Sequence, residues 1–330
     1  MRMTVSQLRV ERLLDAPIVA PYSDASIGTN IQGPSLIRVP DWIPDPLGRY
    51  YLYFADHKGQ YIRLAYADSL TGPWRIHVPG TLQLGDSHFP TEPLTADPGE
   101  VARLEARRKA AGARPMEHDL LTEITTPHIA SPDVHVDESA RRVVMYFHGL
   151  ESLARQVSRV AVSSDGIAFE AKPEVLGRTY MRIFRWRGAT YALAMPGLIY
   201  RSADGLTGFE AGPTLFNPDM RHSAVLQRED QLFVFWTQVG DSPERILLST
   251  IDLSPDWQDW RETEPVEVMR PERPWEGADQ PVEPSVRSVA YRPVNQLRDP
   301  AVFVEGDDVY LAYAVAGEAG IGLARVWLPD

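Results

Sequence analysis

The sequence lacks cysteine, long hydrophobic runs and an excess of positive charge. The absence of cysteine among 330 residues excludes disulfide bonds, thiolate metal ligands and cysteine nucleophiles. No segment approaches the roughly 18 apolar residues of a membrane-spanning helix. The first residues also lack the apolar core of a secretory signal. We therefore expect a cytoplasmic protein that is stabilised by packing alone.

Acidic side chains outnumber basic ones, with 45 aspartates and glutamates against 33 lysines and arginines, and the net charge is −12. Phosphate backbones and anionic lipid surfaces repel such a chain. We therefore expect neither a nucleic acid nor a membrane as a partner. A local basic cluster can still bind a small anion, because net charge describes the whole surface. The hydrophobic fraction of 44% is ample for a globular core.

Short apolar runs rich in tyrosine, valine, isoleucine and phenylalanine recur along the chain between clusters of glycine, proline, aspartate and asparagine. This pattern is typical of short strands joined by turns. It divides the chain into successive modules of similar strand order. The modules cover residues 35–77, 132–172, 180–212, 222–261 and 299–328. The last module contains only three strands, and we predict that the segment Gln7 to Leu13 supplies its fourth.

Repeats of about 40–50 residues with four strands each predict an all-β fold, a five-bladed β-propeller. We expect a single domain over residues 1–330, in which the N-terminal strand closes the ring and removes free sheet edges. Two segments interrupt the rhythm. Residues 78–127 include the helix-favouring run VARLEARRKAAGA, and residues 262–294 are rich in proline, glutamate and arginine. We predict long connections between blades, which often cover binding sites.

Blade geometry predicts which side chains meet at the centre of the ring. The start of each innermost strand and each turn between the second and third strands share one face, around a central funnel. The strand starts supply Ser35, His128, Ser131, Asp133, Tyr180, Arg182, Arg221, His222, Arg298 and Asp299, and the turns supply His57, Lys58, His148, Gln238 and Glu318. An alternative is that these polar groups line a wet channel and merely satisfy backbone groups.

Two segments resemble the five-bladed propellers of the family 43 glycoside hydrolases and their relatives. They are GPSLIRVPDWIPDPLGRYYLYFADHKGQYIRLAYADSLTGPW and HIASPDVHVDESARRVVMYFHG. The resemblance implies the same fold and a carbohydrate-active, glycosidase-like enzyme that acts on a small glycoside or an acidic sugar.

The catalytic carboxylates of that family are not matched. The family usually has an aspartate base at the start of blade one, a second aspartate at blade three and a glutamate acid at blade four. This chain has Gly33 and Ser35 in blade one, TYMR in blade three and MRHSA in blade four. Only Asp133 matches directly, and the resemblance implies that this aspartate is not one of the three catalytic groups.

Other residues must then supply acid–base chemistry. Inverting hydrolysis needs two carboxyl groups roughly 6.5–9.5 Å apart, and histidine can serve as acid or base near neutral pH. We expect the catalytic residues to be Asp133, His128, His222 and Asp299. Glu123 and Glu318 could also reach the funnel from loops.

Arginines stand near positions where the family has acids. Their guanidinium groups suit carboxylate, sulfate or phosphate, so we expect a substrate such as a uronic acid or a sugar phosphate. The predicted substrate-binding residues are Ser35, His57, Tyr180, Arg182, Arg221, Arg298, Trp236 and Glu318. An alternative is that the arginines form structural ion pairs, Arg182 with Asp133 and Arg298 with acids of adjacent strands.

Other functions remain open. One divalent metal ion could bind in the funnel to His57, His128, His148 and His222, as in a metal-dependent lyase. A histidine acting with Tyr180 could also perform β-elimination of a uronide. A noncatalytic sugar-binding propeller and a scaffold for protein partners are further alternatives.

Overall fold

The computed structural model of the protein describes residues 8–113 and 116–329, and their strands form five sheets of four antiparallel strands. In the first four sheets, the order from the centre outward follows the chain. Blade I contains β2 (Gln32–Arg38), β3 (Tyr50–Ala55), β4 (Arg63–Ala67) and β5 (Arg75–His77). Blade II contains β6 (Ile129–Asp137), β7 (Arg142–Ser152), β8 (Arg155–Ser163) and β9 (Glu170–Ala171).

The other three blades repeat this arrangement. Blade III contains β10 (Arg182–Trp186), β11 (Ala189–Ala194), β12 (Leu198–Ser202) and β13 (Glu210–Thr214). Blade IV contains β14 (Met220–Arg228), β15 (Gln231–Gln238), β16 (Ile246–Asp252) and β17 (Val266–Met269). Blade V contains β18 (Arg298–Glu305), β19 (Asp308–Ala314), β20 (Ile321–Trp327) and the N-terminal β1 (Arg9–Arg12). The predicted five-bladed β-propeller is confirmed.

Blade V is closed by the N-terminal strand. Strand β1 pairs antiparallel with β20, with Arg9 opposite Trp327 and Arg12 opposite Ala324. Both ends of the described chain therefore lie in one sheet, and the predicted closure is confirmed. Gln7, where we placed the start of this strand, lies outside the described residues.

The core lies between neighbouring blades. Five buried clusters each join two adjacent sheets. Successive side chains of a strand point to opposite faces. In β3, Tyr51 and Tyr53 therefore pack toward blade II, whereas Tyr50 and Leu52 pack toward blade V. Because both faces of a blade are covered, the strands read as nearly continuous apolar runs.

The outer edge of blade IV differs from the prediction. Its fourth strand is Val266–Met269, and not residues 257–261. Residues Trp257–Asp259 form a 3-10 turn, and the side chain of Asp256 accepts a hydrogen bond from the Gln258 amide at 3.0 Å. Trp260 is buried between blades III and IV, with its ring centroid 4.9 Å from that of Tyr191. This aromatic segment fills the core and does not extend the sheet.

The long connection between blades I and II contains two helices, α1 (Pro98–Ala110) and α2 (Leu120–Thr125). Asp97 and Asp119 cap them by accepting backbone amides of Glu100 and Thr122 at 3.0 and 2.7 Å. The predicted helix is therefore confirmed, with an earlier start. Within the described ranges, no helix is both long and apolar enough to cross a membrane.

A buried carboxylate ties the N-terminal strand to the ring. Glu276 is fully buried and accepts Arg12 Nε at 2.7 Å and the Tyr313 hydroxyl at 3.0 Å. Arg12 also bonds to Glu272, whose side chain is 60% exposed, at 2.9 Å. One arginine therefore has a buried and an exposed carboxylate partner.

The variants Glu276→Ala and Glu272→Ala test this closure. We expect Glu276→Ala to lower the free energy of unfolding by about 3 kcal/mol, because Arg12 and Tyr313 lose their buried partner. Glu272→Ala, the matched control, should cost less than about 1 kcal/mol because its ion pair is exposed. Urea unfolding of both variants measures these changes. Equal losses would contradict a closure that depends on the buried carboxylate.

Candidate functional site

One unusual backbone position recurs at the start of every innermost strand. The residues there have positive φ: Gly33 (62°), Ser131 (50°), Tyr180 (63°), His222 (45°) and Asp299 (47°). In four blades the pairing register of the first two strands also shifts at this point. A left-handed conformation is uncommon for residues other than glycine, and such strained positions cluster at functional sites. Because this conformation recurs in every blade, the five equivalent residues lie around the axis of the ring.

The axis is crowded at this level. A Cβ atom placed on Gly33 would lie 2.9 Å from the Cα of Ser131. Blade I therefore requires glycine at the position where other blades carry side chains.

The turns between second and third strands lie on the same face. The Ile31 amide, just before β2, donates to the carbonyl of Glu318 at 2.7 Å. The Leu297 amide, just before β18, donates to the carbonyl of Glu244 at 3.0 Å. Each of these turns is thus bonded to the chain that leads into the next blade, as the blade geometry predicts.

A cavity of about 650 Å³ opens on this face. It brings together predicted residues from several blades with a glutamate from α2. These residues are His57, Glu123, His128, Ser131, His148, Tyr180, Arg221 and His222. Positions distant in the sequence therefore share one cavity.

A tyrosine, an aspartate and a histidine form a connected unit beside the cavity. The Tyr180 hydroxyl donates to Asp299 Oδ1 at 2.7 Å, and His222 Nδ1 lies 3.7 Å from the same oxygen. The Tyr180 and His222 rings are 5.2 Å apart between centroids. All three residues occupy the left-handed positions of their blades.

Three of the cavity histidines, His128, His148 and His222, are neutral near pH 7. Burial, together with the positive charge of Lys58, lowers the pKa of His128 to about 3. Burial and Arg221 hold the pKa of His222 well below its usual range. Burial and His128 do the same to the pKa of His148. These three imidazoles can therefore accept or donate hydrogen bonds as neutral groups, and they carry little charge.

Asp299 differs from the other buried carboxylates. Burial and the nearby charge of Glu318 raise the pKa of Asp299 to about 6. Its Oδ2 atom has no hydrogen-bond partner in the described structure, and neither does Nδ1 of His148 or of His222. Buried polar atoms are normally satisfied. These atoms point to a place where a ligand or water completes the hydrogen bonding.

Two arginines that we predicted to bind the substrate, Arg221 and Arg298, instead form buried ion pairs. Arg221 binds both carboxylate oxygens of Glu244, with Nε 2.9 Å from Oε1. Arg298 Nη1 donates to Glu318 Oε1 at 2.7 Å. All four side chains are at most 2% exposed. Arg298 therefore forms a structural ion pair, but its partner lies in the turn between β19 and β20 and not on an adjacent strand. Arg221 forms such a pair as well.

These pairs fix the charge of the carboxylates. Burial opposes ionisation of Glu318, yet His57 and Arg298 outweigh it and lower the pKa of this carboxyl to about 2. Burial likewise opposes ionisation of Glu244, and Arg221 with Arg298 keeps its pKa below the usual range. Both carboxylates are therefore ionised near neutral pH.

Arg182, which we predicted to bind the substrate, packs against Tyr180 instead, and within the described residues it forms no ion pair with Asp133, the alternative that the sequence offered. Its Nε donates to the Ser223 carbonyl at 2.9 Å, and its Nη1 donates to the carbonyl of Ser131 at 3.3 Å. The guanidinium carbon lies 4.0 Å from the Tyr180 ring centroid. Arg182 therefore spans the axis between blades II and IV.

Ser35 and Asp133 lie further along the innermost strands, at another cavity of about 530 Å³. Ser35 Oγ accepts the Val134 amide at 2.9 Å, and Asp133 Oδ2 accepts the Ile183 amide at 2.8 Å. These bonds tie neighbouring blades together. Asp133 therefore lies apart from the cavity of His128 and His222, contrary to our expectation of one shared site.

Trp236 also lies outside the site. It is 2% exposed and packs in the core between blades III and IV, and its Nε1 donates to Ser249 Oγ at 3.2 Å. The alternation of β15 turns this side chain between the blades, so it cannot stack on a ligand. Its assignment as a substrate-binding residue is wrong.

The four histidines do not form the metal site that the sequence offered as an alternative. Across residues 8–113 and 116–329, no group of three or more histidine, aspartate or glutamate side chains is placed to share one ion. The His128 and His148 rings meet edge to face with centroids 6.4 Å apart, and His128 Nδ1 lies 2.9 Å from the Thr126 carbonyl oxygen. His57 lies instead 3.6 Å from Glu318.

Several residues of the site were missed. Glu244 lies in the same turn of blade IV as Gln238, which we did select, so its position was the available signal. Three arginines, Arg155, Arg178 and Arg287, also line the cavity. Arg155 lies at the turn between β7 and β8, and Arg178 lies two residues before Tyr180 in the chain that enters blade III, so the module geometry was the available signal for both. Arg287 lies in the long connection before β18, for which the sequence offered no signal.

Comparison with known proteins identifies a relative. No family model matches the chain. The chain is 35% identical over 323 residues to "Uncharacterized protein R118" of Acanthamoeba polyphaga mimivirus, with 90% of this chain and 83% of the relative covered. The chain belongs to the family of that mimivirus protein.

Solved structures share the propeller at low sequence identity. A GH43 β-xylosidase/α-arabinofuranosidase from a compost microbial metagenome matches with a TM-score of 0.55 and 11% identity, covering 96% of this chain and 94% of that one. The GH43_1 enzyme from Xanthomonas citri gives 0.53 and 12%, with 94% and 89% covered. An α-L-arabinofuranosidase from Lactobacillus brevis gives 0.53 and 10%, with 95% and 92% covered. The resemblance in fold is confirmed.

The raised pKa of Asp299 predicts how stability depends on pH. A carboxyl whose pKa is higher in the folded state stabilises fully below its unfolded pKa and loses that contribution as pH rises through the folded value. The rise from 3.8 to about 6 corresponds to about 3 kcal/mol. Asp299→Asn keeps an acceptor for Tyr180 but cannot ionise.

We therefore expect the stability of the wild type relative to Asp299→Asn to fall as pH rises from about 4 to about 7. Urea unfolding of both proteins across this range measures the difference. Parallel stability profiles would show that Asp299 titrates normally.

Proposed function

We propose that the protein is a carbohydrate-active enzyme that binds a small glycoside or acidic sugar in the cavity and acts on it by proton transfer. The observation that carries this proposal is the Tyr180–Asp299–His222 unit, with unsatisfied polar atoms on Asp299 and His222. The fold adds support, since one propeller of similar fold is described in complex with xylotriose and another with xylose. A cavity of about 650 Å³ suits a ligand of that size.

His222 and Asp299 are proposed to deliver the proton for glycoside hydrolysis. Below about pH 6 Asp299 retains its proton. As His222 Nε2 donates its proton to the glycosidic oxygen, Asp299 transfers its own to His222 Nδ1. The 3.7 Å separation of these groups must shorten on binding, as catalytic hydrogen bonds often do. His222 thus remains neutral after the step, and Asp299 becomes ionised.

Glu123 is proposed to activate the attacking water. It lines the cavity, and its Oε2 accepts Ser288 Oγ at 3.0 Å and lies 3.3 Å from Lys58 Nζ. Burial opposes its ionisation, but His118 and Lys58 outweigh this and lower the pKa of Glu123. Two carboxyl groups with pKa values pushed apart are the arrangement expected of an acid and a base.

Elimination from a uronide is a second candidate. The Tyr180 and His222 rings face each other at 5.2 Å, and both residues line the cavity. A neutral histidine could remove the proton beside the carboxylate, and the tyrosine hydroxyl could protonate the leaving oxygen. Hydrolysis yields a reducing sugar, whereas elimination yields a conjugated double bond that absorbs ultraviolet light.

Substrate screening with His222→Gln tests the proposal. Aryl glycosides, uronide oligosaccharides and sugar phosphates are incubated with the protein, and aryl release and ultraviolet absorbance are followed. We expect His222→Gln to lower kcat by at least about 100-fold, because it removes the proton carrier. The matched control is His135→Gln, since His135 lies beside Asp133 at the other cavity.

The outcomes separate the alternatives. Full activity of His222→Gln would show that the assigned site is wrong. Tight sugar binding without turnover of any substrate class would identify a noncatalytic sugar-binding propeller instead.

A further inference from the structure

We infer that Arg155 and Arg178 hold an anionic group of the substrate at the edge of the cavity. The inference rests on the proposed function and specifies its substrate class as a sugar that carries a carboxylate or phosphate group. Arg155 and Arg178 thereby take the substrate-binding role that we assigned from the sequence to Arg182, Arg221 and Arg298.

The three arginines that the sequence predicted to bind the substrate, Arg182, Arg221 and Arg298, already donate hydrogen bonds to acceptors of the protein. Arg221 is engaged by both oxygens of Glu244, and Arg298 bonds to Glu318 and Gln296. Arg182 donates through Nε and Nη1 to backbone carbonyls of the two neighbouring blades, and it lines the other cavity, beside Asp133. An anion in the cavity of His128 and His222 therefore needs cationic partners besides these arginines.

The cavity wall is basic although the whole protein is acidic. The net charge of the chain is −12, yet Glu123 is the one carboxylate among the described residues that line this cavity. Lys58 lies 3.3 Å from Glu123 and balances its charge. Arg155, Arg178 and Arg287 then leave the wall positively charged. Substrates with a negative group are attracted to such a surface.

Arg155 and Arg178 are the cations best placed to act together. They belong to adjacent antiparallel segments, since the Ser158 amide donates to the carbonyl of Gly177 at 3.0 Å. Both arginines are exposed, and within the described part of the chain neither forms an ion pair with a carboxylate. Arg287 differs, because its Nη2 lies 3.6 Å from Asp219 and 3.1 Å from the Pro218 carbonyl oxygen.

Two neighbouring arginines repel each other unless an anion lies between them. Carboxylate and phosphate oxygens accept the forked donors of guanidinium groups. With its anion at Arg155 and Arg178, a small sugar can extend inward toward Tyr180 and His148, which line the same cavity. The anion then orients the sugar relative to the proposed acid–base groups.

Calorimetric binding of matched sugars tests the inference without depending on turnover. The probes are a neutral hexose, the corresponding hexuronate and the corresponding hexose 6-phosphate. The proteins are the wild type, Arg155→Gln/Arg178→Gln, and the control Arg75→Gln, since Arg75 is an exposed arginine on the outer strand of blade I. Comparison of the two anionic probes distinguishes carboxylate from phosphate.

We expect at least one anionic sugar to bind the wild type more tightly than the neutral hexose, and added salt to weaken that binding. The double variant should lose about tenfold or more of this affinity, with the neutral hexose and the Arg75→Gln control unchanged. Equal binding of anionic and neutral sugars, no binding of either anion, or full affinity in the double variant would overturn the inference. Turnover of neutral glycosides that the double variant retains would leave the proposed function standing.

Discussion

The left-handed residue at the start of each innermost strand is the constraint on which the site depends. It breaks the pairing register at the point where four of the five innermost strands begin to pair. The chain thereby places Ser131, Tyr180, His222 and Asp299 around one axis, and Gly33 leaves the space that this crowding needs. Such backbone strain persists only where the surrounding structure enforces it. Here the packed blades on both sides do so.

Buried charge is arranged around this ring in two ways. Glu244 and Glu318 are ionised, and each is paired with a buried arginine that balances its charge. Asp299 has a tyrosine hydroxyl in place of a close arginine, and its pKa rises to about 6. Breaking a buried ion pair is costly. Glu244 and Glu318 with their arginines therefore keep the electrostatic environment of Tyr180, His222 and Asp299 constant.

Much of the fold could be predicted because strand modules leave a strong periodic signal. The repeat, the closing strand and the convergence of strand starts with turns all follow from strand length and direction. The outer strand of blade IV did not follow, because an aromatic segment that resembles a strand is buried as core. Periodicity alone does not separate those two roles.

The site could be predicted only by position. Two residues after the left-handed position, Ser35 and Asp133 bind backbone amides of the next blade. Sequence alone could not separate these ties between blades from cavity residues, because a single residue's shift along a bulged strand changes the direction of its side chain. The pairing of Arg221 and Arg298 also depends on contacts distant in sequence.

A crystal structure of the protein with a bound hexuronate tests the central claim most directly. We predict that the sugar lies in the cavity among His148, Tyr180 and His222, with its carboxylate toward Arg155 and Arg178. A hexuronate bound instead at the other cavity, beside Asp133 and Ser35, would contradict the claim that the left-handed positions form the functional centre.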